Sequence, residues 1–530
     1  MNWQLQKGIR VKTIIRRRMA ARKRRLSKRL DKFNYPDDLS RPMLRAGNVR
    51  HELAGRASGT AQGGIGLMQQ LVRKLGLAEA IDRRLQLFKL HLPYHESDHV
   101  LSLAYNSLCG GTCLEDLELR RQDEAYLNLL GAERIPDPTT AGDFCRRFER
   151  EHLTALQTAY DETRKQVWSQ QPAEFFREAR IEADGTQVET GGECKQGIDI
   201  NYQGQWGYHP LLLTLAGHRP KVGPGEVLRL INRSGNRPSH EGAAEQFDQC
   251  IALCRAAGFQ RMLLRGDTDF SQTRHLDRWH EAGDVRFVFG LDVTPLGHVH
   301  ADDLPNSAWK PLTRQPRYEV RTKERARPER VKQRIVEERQ FKDIRPVDEW
   351  VAEREHRPTA CRHTYRLVID RKNLTVSEPQ QGRLFDDYRY FFYLTNDWDS
   401  TPEQIVFSAN DRCQQENIIA QLAAVRALHA PVDNLLSNEA YMLMTSLAWN
   451  LKAWLALSLE VSQGRARQEQ QAQKQQLLGL EFRTFVNYFL RVPAQVVKTG
   501  RQIVVRLLAY NAWQNVFFRL AEQLARPRRC

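Results

Sequence analysis

The sequence predicts an α/β protein: a mixed β-sheet flanked by helices, with a helical region ahead of it. Three observations point there. From Gly64 to Arg180 apolar residues recur at intervals of three and four, as on amphipathic helices. From Arg180 to Phe289 short strand-like runs alternate with helical ones. Residues 296–385 are charged and rich in Pro and Arg, with further strand-like pieces, before helix returns at Pro402. At 530 residues the chain has room for roughly two to four domains and a sizeable core.

Taken in order, the first thirty residues contain no acid and twelve Lys or Arg, among them Arg16, Arg17 and Arg18. No apolar run follows, so this is not a secretory signal. An arm that meets phosphates explains it, as does an Arg-rich organellar presequence or a solvated basic tail. Residues 31–60 are polar and punctuated by Pro and Gly, hence loosely ordered. The helical stretch that follows includes GLMQQLVRKLGLAEAIDRRL and TTAGDFCRRFEREHLTALQTAYDETRKQVW, with Ser97, Asp98, Thr139 and Thr140 as caps. Small helical modules often bind DNA, although bundles serve many other ends.

Strands are expected at Arg180–Asp184, Tyr208–Leu215, Val227–Ile231, Arg261–Leu264 and Val285–Phe289, with helices at Glu241–Ala257 and Thr273–Ala282. The next region offers YEVRT, RIVEERQ and TYRLVIDR, and YRYFFYLT just beyond. Lys310–Arg345 holds thirteen Lys/Arg against six Asp/Glu, a second basic region. Trp309, Tyr318 and Trp350 lie in or beside it; stacking on bases is one use for them, core packing the other. Helices are expected at Pro402–His429 and Asn438–Ser462, then a Gln-rich stretch and a helical C-terminus. Ala440–Leu459 has the length of a membrane span, but Asn450 and Lys452 near its middle make it a buried helix instead.

The formal net charge is +16, with a pI near 9.5. That favours a polyanionic partner. Nine scattered cysteines form no disulfide framework and suit a reducing compartment. Cys109-x3-Cys113 and Cys250-x3-Cys254 have helical spacing and lack paired histidines, so they read as buried thiols. His209 and His240 read as packed or capping residues. No phosphate-binding Gly-x4-Gly-Lys-Ser/Thr loop and no Gly-x-Ser-x-Gly nucleophile motif occurs, which leaves ATP hydrolysis and serine esterase chemistry unsupported.

Three acids stand out by context. Asp184 ends the strand-like IEAD, and Asp267 ends RMLLRGD. Each is a carboxylate where an apolar strand runs out at a sheet edge. Glu416 lies in NDRCQQENIIAQL, with Arg412 one turn earlier; Ile418, Ile419, Leu422 and Val425 give that helix an apolar face. Hard oxygen ligands from two strands and a helix suit Mg²⁺ or Mn²⁺. Two such ions can activate a water or a 3′-hydroxyl for in-line phosphoryl transfer. Glu182 shares a strand face with Asp184, and Asp269 with Asp267 if the strand continues; both read as supporting residues.

The stretches IEADGTQVE, LLRGDTDFS and NDRCQQENIIAQL resemble those of DDE-type insertion-sequence transposases with an RNase-H-like core and a β-rich insertion between the second Asp and the Glu. The intervals, 83 and then 149 residues, suit such an insertion. PYHESDHVLSLAYNSLCGGTCLEDLELRR and PDPTTAGDFCRRF are similar to the family's N-terminal region. The resemblance implies a division into a basic, loosely ordered arm (1–60), a helical DNA-binding region (61–175), a first part of the catalytic core (176–295), a β-rich basic insertion domain (296–390), a second part of the core (391–465) and a helical C-terminal region (466–530). It implies Asp184, Asp267 and Glu416 as catalytic residues and ligands of two Mg²⁺ (or Mn²⁺) ions, with Arg412 on DNA phosphates. Of the family's Tyr-x2-Arg-x3-Glu-x6-Lys signature the chain keeps Arg412 and Glu416 and has Ala409 and Ala423 at the other two places.

The expected function is a DNA transposase. It would bind terminal inverted repeats, helped by Arg16, Arg17 and Arg18, cut at the element ends and join the freed 3′-hydroxyl to target DNA. A homodimer on double-stranded DNA, no membrane partner and a cytoplasmic, nucleoid-associated location go with it. The rivals are a metal-dependent nuclease on the same core, a decayed or domesticated DNA-binding protein, favoured by Ala409 and Ala423, and a basic RNA-binding scaffold.

Overall fold

The computed structural model describes residues 2–31, 50–51, 58–90, 93–216, 225–292, 295–314, 331, 334–335, 348–373, 388–411, 413–462, 464–499 and 502–526. A long helix, α1 (Asn2–Leu30), comes first, followed by the two-residue strand β1 (Gly59–Thr60). The helical region follows as α2 (Ile65–Leu75), α3 (Leu77–Arg84), α4 (Glu96–Leu108), α5 (Leu117–Arg121), α6 (Glu124–Leu130), α7 (Pro138–Arg146) and α8 (Arg150–Trp168). Their ends follow local chemistry. Asp137 caps α7 by accepting from Thr140 N at 2.8 Å, with Pro138 at the first helical position. Gly76, at φ 68°, closes α2 in the left-handed conformation that glycine adopts at little cost. The caps differ from the expected Ser97, Asp98, Thr139 and Thr140: His95 and Asp137 take the cap positions, and Asp98 instead folds back to accept from His95 N.

The sheet region contains β2 (Ala179–Gly185), β3 (Val188–Glu189), β4 (Asp199–Ile200), β5 (Trp206–Tyr208), β6 (Leu211–Leu215), β7 (Glu226–Ile231), α9 (Ala243–Ala257), β8 (Met262–Gly266), α10 (Leu276–Glu281), β9 (Val285–Leu291), α11 (Pro295–Asp302), β10 (Lys310–Pro311), β11 (Glu349–His356), β12 (Tyr365–Asn373) and β13 (Tyr388–Thr395). The chain ends with α12 (Pro402–Asn410), α13 (Cys413–Ala424), α14 (Leu435–Leu457), α15 (Arg467–Gly479), α16 (Phe482–Phe485), β14 (Ala494–Thr499), β15 (Gln502–Leu507) and α17 (Gln514–Leu524).

Nine strands form one sheet in the order β10-β11-β12-β13-β9-β8-β2-β6-β7. Within it, β7, β6 and β2 are antiparallel neighbours, while β8 runs parallel to β2 and β9 parallel to β8. That five-strand order is the RNase-H-like core the sequence led us to expect. Its strands are almost wholly buried, Leu211–Leu215 without exception, as strands covered on both faces must be.

Helix α14 is the axle of the core. Every residue from Ser437 to Leu457 is buried, and the helix packs against α4, α8 and β7. Its side chains also close the open edge of the sheet. Asn450 accepts from Val227 N at 2.9 Å and donates to Val227 O at 3.0 Å, replacing the strand that β7 lacks on that side. Beside it Glu226 accepts from Arg164 Nε (2.8 Å), Trp168 Nε1 (2.6 Å) and Trp454 Nε1 (2.7 Å), a buried charge matched by a buried partner.

Lys452 forms no ion pair among the described residues. Burial pushes its ammonium down to about 7 against the opposing pull of Glu481, and it donates to Leu478 O at 3.2 Å. A lysine depressed in the fold and ordinary when unfolded costs stability wherever the unfolded chain holds the extra proton. Stability therefore rises with pH from about 7 toward the unfolded value, and the full cost is present at and below neutrality. Lys452→Met should raise stability by about 2 kcal/mol at pH 7. The gain should shrink as pH climbs toward 10; urea denaturation across that range measures it, and a pH-independent difference would remove the argument.

Three expectations need correction. The N-terminal arm is not loosely ordered over its first half: Asn2–Leu30 is helical, because no residue in it breaks a helix except Gly8. The insertion does not stand apart as a domain: β13 pairs with β9, and β12, β11 and β10 continue the core sheet outward. The C-terminal region is not wholly helical, since β14 and β15 form an antiparallel hairpin whose other edge pairs with β1. YEVRT and most of RIVEERQ, with most of Lys310–Arg345, lie outside the described residues.

Candidate active site

The site is built where β2 and β8 end. Their parallel register sets Glu182 opposite Arg265, an offset of 83 residues. Asp184 and Asp267 have the same offset, each two residues further on: Asp184 is still in β2, and Asp267 is the first residue after β8. Side chains alternate, so Asp184 shares the face of Glu182. Both aspartates are half-buried. Strand β8 stops at Gly266, and Asp267 caps the short turn Thr268–Phe270, accepting from Asp269 N at 3.0 Å. Glycine is required at two places for this turn. A Cβ at Gly266 would meet Phe270 at 2.5 Å, and one at Gly290 of β9 would meet Thr268 N at 2.9 Å. Because the strand ends there, Asp269 is in the turn and is exposed, not on an extended face with Asp267.

Glu182 is fully buried and forms an ion pair with Arg265, itself 1% exposed. Arg265 also donates to Ser408 O of α12 at 2.6 Å and stands 4.0 Å from Asp411. The pair therefore ties the two aspartate strands to the helix that leads to Glu416. The next helix is held more directly. Gln415, wholly buried, donates from one Nε2 to Glu182 O and to Leu212 O, both at 3.1 Å. Ile418 and Leu422 bury the rest of that face. Glu416, the neighbour of Gln415, faces solvent.

Asp184 thus stands near the end of β2 and Asp267 just past the end of its parallel neighbour β8, and Glu416 is carried on a helix pinned to β2 and β6 through Gln415. Among the described residues no three His, Cys, Asp or Glu side chains converge tightly enough to hold a metal ion. Arg412 lies outside the described residues. Arg16, Arg17 and Arg18 are exposed on α1, which bonds to the C-terminal hairpin through Arg22 Nη1 and Leu507 O at 2.6 Å. Cys109, Cys250 and Cys254 are buried free thiols, and Cys113 is half-buried. Trp309 is buried and Trp350 half-buried; Tyr318 is outside the described residues. Among the described residues no helix is long and apolar enough to cross a membrane.

Sequence reasoning missed Arg265 and Gln415. A signal existed for the first: Glu182 and Arg265 repeat the 83-residue offset of the two aspartates, two positions earlier. Gln415 gives no such signal, since nothing in the sequence sets it apart from the neighbouring Gln414.

The strand order and directions define an RNase-H-like α/β core. The family model of the transposase DDE domain, group 1, matches residues 42–529, and the chain belongs to that family. No curated protein sequence matches it. Among solved structures, a piggyBac transposase synaptic complex with hairpin DNA, determined by electron cryomicroscopy, matches with a TM-score of 0.32 and 9% identity, over 81% of this chain and 83% of that one.

Proposed function

We propose that this transposase-family protein cleaves double-stranded DNA at the ends of a mobile element and transfers the freed strand to a target, using Asp184, Asp267 and Glu416. The observation that supports the reading is that β2, which carries Asp184, pairs in parallel with β8, which Asp267 follows, with the Glu416 helix pinned to β2 through Gln415. The donor set fits divalent cations of the Mg²⁺ or Mn²⁺ kind, because the three acids offer hard oxygens. When bound, such ions would supply charge stabilisation and lower the pKa of an attacking hydroxyl. The chain's own work is to present the carboxylates on a rigid sheet and to hold the Glu416 helix against it through Gln415 and the Glu182–Arg265 pair. Exposed Arg16, Arg17 and Arg18 would bind phosphates without reading sequence. A dimer that pairs two element ends goes with this function.

The test uses duplexes bearing the flanking inverted repeats of the gene, with and without Mg²⁺. End-specific cutting and joining to a second duplex are expected in the native protein. Glu416→Gln keeps the shape and removes the charge; it should bind the duplex normally and lose both reactions. Cutting without joining would make the protein a nuclease. Binding without chemistry under any condition would make it a decayed DNA-binding protein, the reading that Ala409 and Ala423 favour.

A further inference from the structure

The helix that opens the chain, α1, does not carry its charges evenly round its axis. Ile15, Met19 and Arg22, at intervals of four and three, are half-buried and form the stripe turned toward the body. Arg22 also ties the helix to the C-terminal hairpin, donating from Nη1 to Leu507 O at 2.6 Å. Between Arg16 and Arg25 the remaining residues are exposed. The body-facing stripe therefore settles which face of α1 is open to a partner.

Each residue turns an α-helix by about 100°. On that count Arg17, Ala20 and Arg24 lie opposite the body-facing stripe, and Ala21 stands beside them. Arg16 and Lys23 form a second row, roughly 80° to one side of this outward stripe. Arg18 and Arg25 form a third, roughly 120° to the other side. The two members of each flanking row are seven residues apart, about 10 Å along the axis. The apolar Ile15, Met19 and Leu26 all fall on the body side.

A helix that met a single phosphate strand would need a single basic row. Two basic rows on either side of a stripe with small side chains match a groove walled by two phosphate strands and floored by bases. The major groove of B-form DNA is about 12 Å wide and admits one α-helix. Ala20 and Ala21 allow the backbone to approach that floor, and their methyl groups suit the thymine methyl. Arg17 and Arg24 carry the planar fork that takes O6 and N7 of a guanine. The flanking rows supply the phosphate contacts that hold a helix in register.

We propose that α1 lies in the major groove of duplex DNA, with Arg17, Ala20, Ala21 and Arg24 against base edges and the Arg16–Lys23 and Arg18–Arg25 rows on the two phosphate strands. The inference rests on the transposase reading for DNA as the partner. It refines that reading for Arg17, which turns away from both phosphate rows, and it makes α1 a determinant of which element end is bound.

The test measures the affinity of the full-length protein for a duplex bearing the flanking inverted repeat and for a scrambled duplex of equal length. Arg17→Lys and Arg24→Lys keep the charge and lose the fork. Each should cut the preference for the repeat about tenfold, relax it at one or two base pairs, and leave scrambled-duplex affinity and salt dependence as in the native protein. Lys23→Ala should instead weaken both duplexes alike and flatten the log–log salt slope by about 0.9, the value for one phosphate. All three positions are exposed on the helix, so unchanged thermal midpoints are expected. Undiminished preference in both Lys variants would overturn the groove placement, as would binding to phosphatidylserine vesicles in place of duplex. End cleavage by the same proteins keeps the two readings apart. Undiminished preference with normal cutting would remove the groove placement and leave the transposase standing. Lost preference in the variants of a protein that cuts no end would keep the groove placement and sink the transposase.

Discussion

Asp184→Asn and Asp267→Asn should each lower end-specific DNA cleavage by about 10³-fold or more, with duplex affinity within about threefold of native. The physical reason lies in where the two carboxylates stand. They stand at the ends of adjacent parallel strands, so an amide at either place removes one hard anionic oxygen donor from the proposed site and leaves the sheet intact. A second readout does not depend on turnover. Two like charges on neighbouring strand ends repel, so without divalent metal either variant should be as stable as the native protein or slightly more so. Mg²⁺ should raise the thermal midpoint of the native protein and do so less in either variant, because a ligand stabilises the state that binds it. Full cleavage by either variant would show that the residue is no part of the site. An equal Mg²⁺ response in all three proteins would show that the metal binds elsewhere.

Glu182→Gln should cost roughly 3–5 kcal/mol of folding stability, the loss typical of a buried ion pair deprived of one partner. Arg265 is 1% exposed and would keep its charge with only Ser408 O and distant Asp411 to meet it. Replacing both, as Glu182→Leu with Arg265→Met, should recover most of that stability, since two apolar side chains need no partner in a dry core. The double variant makes the useful separation. If the pair serves the fold alone, the double variant will be stable and will cleave DNA normally. If it also positions α12 and the Glu416 helix, the double variant will be stable and slow. Urea denaturation and cleavage rates on the three proteins decide it; native stability in Glu182→Gln alone would contradict the buried pair itself.

Much of the site could be read from the chain because its logic is local. An apolar run that ends in an acid, as IEAD and RMLLRGD do, places a carboxylate at the mouth of a sheet without knowledge of the strand's neighbours. The apolar positions Ile418 and Leu422 foretold the buried face of the Glu416 helix, and the polar Asn450 and Lys452 kept the long apolar helix out of a membrane. The hairpin that replaces the expected C-terminal helix has the same local cause: QIVVRL is too short for periodicity to separate strand from helix.

Composition, charge and the run of apolar residues determined the α/β class, the strand-end aspartates and the basic arm, since each depends on neighbours within a few positions. Tertiary structure decided the rest, because it depends on which distant segments meet. Pairing of β13 with β9 turned an expected separate domain into an extension of the core sheet, a choice of partner that strand propensity does not encode. Parallel pairing alone made neighbours of the strands that Asp184 and Asp267 follow or end, and docking alone set Gln415 onto the carbonyls of Glu182 and Leu212.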